Sequence, residues 1–160
     1  MFPTKARNEY KATLERNGQV IWNHSFFNEV MIAGFDDLLN VYFKGQAPNQ
    51  DWYVGLKKAG PIALSDTLNA HPGWDEFADY VGDRKPILFL DVANGSLTSD
   101  KKTSQFVINA RGTITGIFVT NAQAGISAGG LMYGAAEFGM DRAVDINDIL
   151  TIQTTMSFTN

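Results

Sequence analysis

The sequence predicts a mainly β protein, an antiparallel β-sandwich or jelly roll with one amphipathic helix near the N-terminal third. Three observations predict it. Leu150, Ile152, Thr154, Met156 and Phe158 alternate with Thr151, Gln153, Thr155 and Ser157, the period of a strand with one buried and one wet face. Asn17-Gly18 separates two alternating runs, residues 10–16 and 19–22, and both central residues of a type I′ hairpin turn need positive φ. Short apolar runs are punctuated by Asn94-Gly95, Arg111-Gly112, Gly129-Gly130 and Gly139, as in sandwiches and barrels built from short strands.

Taken in order, residues 1–9 read as an N-terminal arm and residues 10–160 as a single sandwich domain. Within the arm, Phe2 offers an apolar anchor, Pro3 breaks regular structure, and Lys5 and Arg7 add positive charge to an acidic chain. These four are the candidate partner-contact residues, suited to an acidic patch on a neighbouring subunit; a frayed terminus is the alternative. The hairpin follows. Past Asn28, Met31, Phe35, Leu38, Leu39 and Tyr42 fall at helical spacing, with Gly34 weakening the first turn and Gly45 placed to stop the helix.

Trp52-Tyr53-Val54-Gly55-Leu56 is an aromatic and β-branched run, the composition of a half-buried strand. Ser65-Asp66-Thr67-Leu68 supplies capping groups for one helical turn, which His71-Pro72-Gly73 would end. Residues 74–90 fit either a bulged strand or an irregular loop crossing the core. Further on, Phe106 and Ile108 share one face, Ile117 and Val119 another, and residues 131–138 are small and aromatic. Gly116 within its strand marks a bulge or a close backbone approach. In the last strand Leu150, Ile152, Met156 and Phe158 should share a buried face. There is no internal repeat, heptad run or low-complexity linker, so a second domain is not expected.

Composition narrows the function. The 160 residues include 13 Lys+Arg against 17 Asp+Glu, a formal net charge of -4, with no basic block to track phosphates, so nucleic acid is not an expected partner. Two His and no Cys leave no thiol chemistry, thiolate metal site or disulfide framework. No apolar h-region follows the basic N-terminal residues, and runs such as Ile87-Leu88-Phe89-Leu90 are far shorter than the ~20 residues of a spanning helix. A chain made in the cytoplasm, with no membrane partner, is expected. Asn23-His24-Ser25 and Asn94-Gly95-Ser96 match the glycosylation pattern and read as ordinary turn residues.

Five groups could carry chemistry. Gly125-Ile126-Ser127-Ala128-Gly129 matches a nucleophile elbow, but His24 and His71 both precede Ser127, whereas the hydrolase order puts the His after it. A small-residue loop over residues 122–130 is the preferred reading. Asp145, Asn147 and Asp148 could hold Ca²⁺, yet the EF-hand Gly and closing Glu are missing, and turn duty is preferred. Asp36-Asp37 similarly suits a helix dipole better than a metal. Asp75, Glu76 and Asp79 among Trp74, Phe77 and Tyr80 have the makeup of a sugar-binding cleft, weighed against solvated carboxylates beside buried aromatics. His71 before Pro72 reads as a turn residue bonding to backbone rather than a ligand.

Several segments together resemble a known group. Trp52-Tyr53-Val54-Gly55-Leu56, Ser65-Asp66-Thr67-Leu68 and His71-Pro72-Gly73-Trp74-Asp75-Glu76-Phe77 with Tyr80 resemble the opening of small virion structural proteins of tailed bacteriophages. Gly116-Ile117-Phe118-Val119, Gly129-Gly130-Leu131-Met132-Tyr133 and Asp148-Ile149-Leu150-Thr151-Ile152 resemble their closing strands. The resemblance runs from about Gly34 to the end and its motifs have no catalytic content. It implies a non-enzymatic, cofactor-free head decoration or cement protein in the virion capsid, made in the host cytoplasm. Its implied partners are the major capsid protein and its own copies. A tail or fibre component is the alternative, with Trp52, Tyr53 or Trp74 as carbohydrate stacking platforms; an esterase based on Ser127 is a third reading.

Overall fold

The computed structural model describes residues 5–125 and 130–159. Chain order is β1 (Lys5–Arg16), β2 (Gln19–Phe27), β3 (Glu29–Val30), α1 (Ile32–Lys44), β4 (Tyr53–Lys57), β5 (Glu76–Phe77), β6 (Lys85–Pro86), β7 (Ser96–Thr98), a 3₁₀ turn (Lys101–Thr103), β8 (Gln105–Val107), β9 (Gly112–Thr120), β10 (Met132–Val144) and β11 (Ile149–Thr159). All pairings are antiparallel. One sheet runs β2-β1-β11-β7, with β8 also on β11; the other runs β3-β10-β9-β4-β5, with β6 also on β4. Their inner faces meet in one core, making a β-sandwich. Tyr10, Ala12, Leu14, Leu150 and Ile152 come from the first sheet, and Val54, Leu56, Ile117, Val119 and Phe138 from the second.

The Asn17-Gly18 hairpin forms as the sequence requires, with φ of 52° and 76°. Its first strand starts earlier than expected. The ladder with β11 begins at Lys5↔Thr159 and runs through Glu9↔Thr155, so residues 5–9, expected in a free arm, lie in the sheet. Backbone pairing there outweighs the polar composition, and Asn8 is buried. Phe2 and Pro3 lie outside the described residues, as do the side chains of Lys5 and Arg7.

The last strand keeps its expected register. Leu150, Ile152 and Thr154 are buried and Met156 packs half-buried against the core; the Phe158 side chain lies outside the described residues. Gly139 does not end a strand: β10 continues through it with a left-handed φ of 79°, and the register shift between Glu137 and Arg142 marks a bulge. A side chain at Gly116 would run into the Ala136 carbonyl, the close approach that its place in a strand suggests.

No helical turn forms at residues 65–68. Asp66 Oδ2 accepts instead from the Ala63 N–H at 3.0 Å and from Trp74 Nε1 at 2.9 Å, and Thr67 Oγ1 accepts from the Ala70 N–H. The would-be capping groups thus close tight turns. Residues 58–74 cross the outer face of the second sheet and seal a second small core of Leu68, Trp74, Phe118, Met132 and Ala135. Residues 74–90 are an irregular segment with two short strands, anchored by buried Trp74, Phe77, Tyr80 and Ile87.

Candidate interaction surface

The helix α1 is amphipathic, as its spacing predicts, but its large apolar side chains face away from the sandwich. A surface helix ordinarily turns its apolar stripe to the core. Here the only buried residue of α1 is Gly34, whose Cα side rests on the Tyr133 backbone so closely that a Cβ would meet its carbonyl. Outward, Ile32 is 54% exposed, Phe35 46%, Leu38 39%, Leu39 55%, Tyr42 82% and Phe43 75%. At 100° per residue these six fall on one side of the helix. The Tyr42 and Phe43 rings pack edge to face at 4.9 Å, which stiffens that end of the patch.

Backbone contacts fix both ends of the helix. The Ile32 N–H donates to the Leu64 carbonyl at 3.0 Å and the Met31 N–H to Tyr133 O at 3.0 Å, in place of a side-chain cap, which Met31 cannot supply. Gly45 closes the other end with φ 69°. Because the helix begins at Ile32, Asp36 and Asp37 lie past its first turn rather than at the dipole's positive end; Asp37 accepts from Asn49 at 3.3 Å.

Beside Leu38 the patch continues into a groove of about 280 Å³ lined by Asn8, Val92, Leu97, Tyr133 and Met156. Val92 is 70% exposed on its rim. Burial holds the Tyr133 phenol above its ordinary pKa, opposed by the neighbouring Asn8 amide, so the hydroxyl stays protonated and neutral at physiological pH. The groove is an apolar recess with a neutral polar floor.

Several of the residues singled out for chemistry are engaged in structure. Asp148 accepts from Arg16 Nε at 2.8 Å and Nη2 at 2.7 Å, and from the Asp145 N–H at 2.8 Å; Asp145 accepts from Arg111 at 2.7 Å. The hydrogen bond from Arg16 and that from Arg111 hold the Asp148 and Asp145 carboxyls below the usual range. Asn147 takes a left-handed φ of 69°, so this segment is a turn closed by two arginines. Among the described residues no group of His, Asp or Glu is arranged to hold a metal ion. Glu76 pairs twice with Arg84 at 2.7 and 2.9 Å. His71 Nδ1 lies 2.8 Å from the Trp74 carbonyl and its ring stacks on Trp74, the turn role its sequence context favours. Trp74 is buried, and Trp52 is half-buried with its ring edge to face with Tyr133. Ser127 lies outside the described residues.

Two buried cations, Lys57 and Arg84, are not evident from the sequence. The ammonium of Lys57, fully buried, has four acceptors within reach of its three N–H groups: the carbonyls of Lys58 at 3.0 Å and Gly60 at 2.7 Å, Thr115 Oγ1 at 3.1 Å and Glu137 at 3.2 Å. Arg84 donates to the Ala122 and Gly125 carbonyls, each at 2.9 Å, and sits over the Phe118 ring. Both pin covering segments onto the outer face of the second sheet. The available signal was weak: Lys57 ends a strand whose other residues are apolar.

No helix among the described residues is long and apolar enough to cross a membrane. No family model matches the chain, and no curated protein matches it either.

Proposed function

We propose that this chain is a non-enzymatic structural protein of a tailed-bacteriophage virion, a decoration protein that binds the assembled head and stabilises it. One observation carries the reading: a small domain with a well-packed double core turns six large apolar side chains of α1 outward. Such a surface suits permanent cover by protein, as contiguous exposed patches above a few hundred Å² mark interaction sites. Supporting it are the segments that resemble phage virion proteins, whose described residues fall on β4, β9, β11 and the start of β10 and on the segment covering the second sheet. The engagement of Asp66, Glu76 and Asp148 in internal bonds also suits a scaffold better than a catalyst.

The test is co-sedimentation of the purified full chain with head shells lacking it, together with its copy number in purified particles. Saturable binding and a copy number in the hundreds support a shell decoration. A handful of copies per particle, or no binding to shells, overturns it.

A further inference from the structure

The spacing along the exposed face of α1 suits a helical partner. Ile32, Phe35, Leu39 and Tyr42 are separated by three, four and three residues, the a/d spacing of helices that pack knobs into holes. Leu38 and Phe43 flank this seam on either side. It spans less than two heptads, too short to stand out as a heptad run. The 13 residues of α1 make a rod about 20 Å long at ~1.5 Å per residue.

Such a seam fits another helix. At the about 150–250 Å² presented by a large side chain, the exposed fractions of the six residues amount to roughly 600 Å² of apolar surface. A stable interface takes about 800 Å² from each partner, which Leu64 at the Ile32 end and Val92 beside Leu38, both exposed, bring within reach. None of the six carries charge, so two such faces can approach without repulsion although the chain is net acidic. Among the described residues α1 is the one α-helix. A second copy offers an identical helix, and an isologous two-fold contact is the commonest route to a closed assembly.

We infer that α1 is a self-association element: two copies of this chain pair their α1 helices antiparallel about a two-fold axis near Leu39. The inference rests on the reading of α1 as a surface covered by protein and gives the cover as a second copy, which leaves the shell to other faces of the pair; it is tested in solution without shells. A failure here leaves shell binding standing, and failure to bind shells leaves the pair standing.

Sedimentation velocity on the full chain across micromolar concentrations should show a species of twice the 17.6 kDa chain mass. Leu39→Glu and Tyr42→Glu should each weaken dimerisation at least tenfold with unchanged circular dichroism, while Val20→Glu on the hairpin leaves it unaltered. Because the chain has no Cys, Leu39→Cys should form a disulfide-linked dimer under mild oxidation and Val20→Cys should not. A monomer at 100 µM (on the order of ordinary working concentrations for weak pairs), a trimer or larger assembly, or a dimer indifferent to both α1 substitutions overturns the pair, as does failure of Leu39→Cys to cross-link.

Discussion

The outer face of the second sheet and the helix α1 solve opposite problems. Around Lys57 the fold buries a cation and surrounds its ammonium with the carbonyls of Lys58 and Gly60, the Thr115 hydroxyl and Glu137. On α1 it leaves Leu39, Tyr42 and Phe43 in solvent. Burying a charge is costly unless its bonds are made, and exposing a large apolar side chain forgoes about 1.5–3 kcal/mol each. The first expense closes the domain on itself. The second keeps a surface open, and the difference teaches that stability is concentrated in the sandwich and its cover while α1 contributes little to it.

The contrast can be broken by substitution. Ile152, fully buried between the sheets, should cost about 2–5 kcal/mol as Ile152→Ala, whereas Gln153→Ala on the other face, which removes one hydrogen bond to the Ser99 carbonyl, should cost about 0.5–1.5 kcal/mol; urea unfolding measures both. Lys57→Met keeps the stem and removes the donors. It should cost about 2–4 kcal/mol, since each buried acceptor left unsatisfied loses about 1–3 kcal/mol. If Leu39→Ser, read in the same assay at low protein concentration, destabilised the chain as much as Lys57→Met, the division between the two regions would collapse.

Removing residues 1–8 sharpens the comparison at the sheet's edge. It deletes the pairs from Lys5↔Thr159 to Asn8↔Met156 and should cost about 2 kcal/mol, a fall in Tm of roughly 4–8 °C at ~2–4 °C per kcal/mol. A free arm would have left the midpoint unmoved.

The smallest effect is pH-dependent. Because Arg16 holds the Asp148 carboxyl below its unfolded value, its contribution is full above the ordinary aspartate pKa and is lost as pH falls through the lowered one. Asp148→Asn should therefore lower stability at pH 7 and flatten its decline below about pH 4. A parallel decline in both proteins would detach this pair from acid unfolding.

Much of the sandwich was legible because alternation and turn chemistry act locally. Asn17-Gly18 and the run from Leu150 to Thr154 announce their conformations within a few residues. The failures are long-range. Nothing near Asp66 says that its carboxylate will meet Trp74 instead of capping a turn, and the sheet membership of residues 5–9 depends on β11, at the other end of the chain. The spacing of α1 predicted a helix with one apolar side. Which way that side points depends on Gly34 meeting Tyr133, a contact across a hundred residues of sequence.

That contact has a consequence for motion. Beyond its N-cap Met31, which is buried in the second core, the helix rests on one glycine and a few backbone hydrogen bonds, so opening of its later turns need not disturb either core. The molecule then contains two cooperative units of unequal strength. Amide hydrogens of the later turns of α1 should exchange through a local, low-energy opening and those of β9 and β11 only when the whole sandwich unfolds, and a partner bound on the helix should raise the protection of the first set without touching the second.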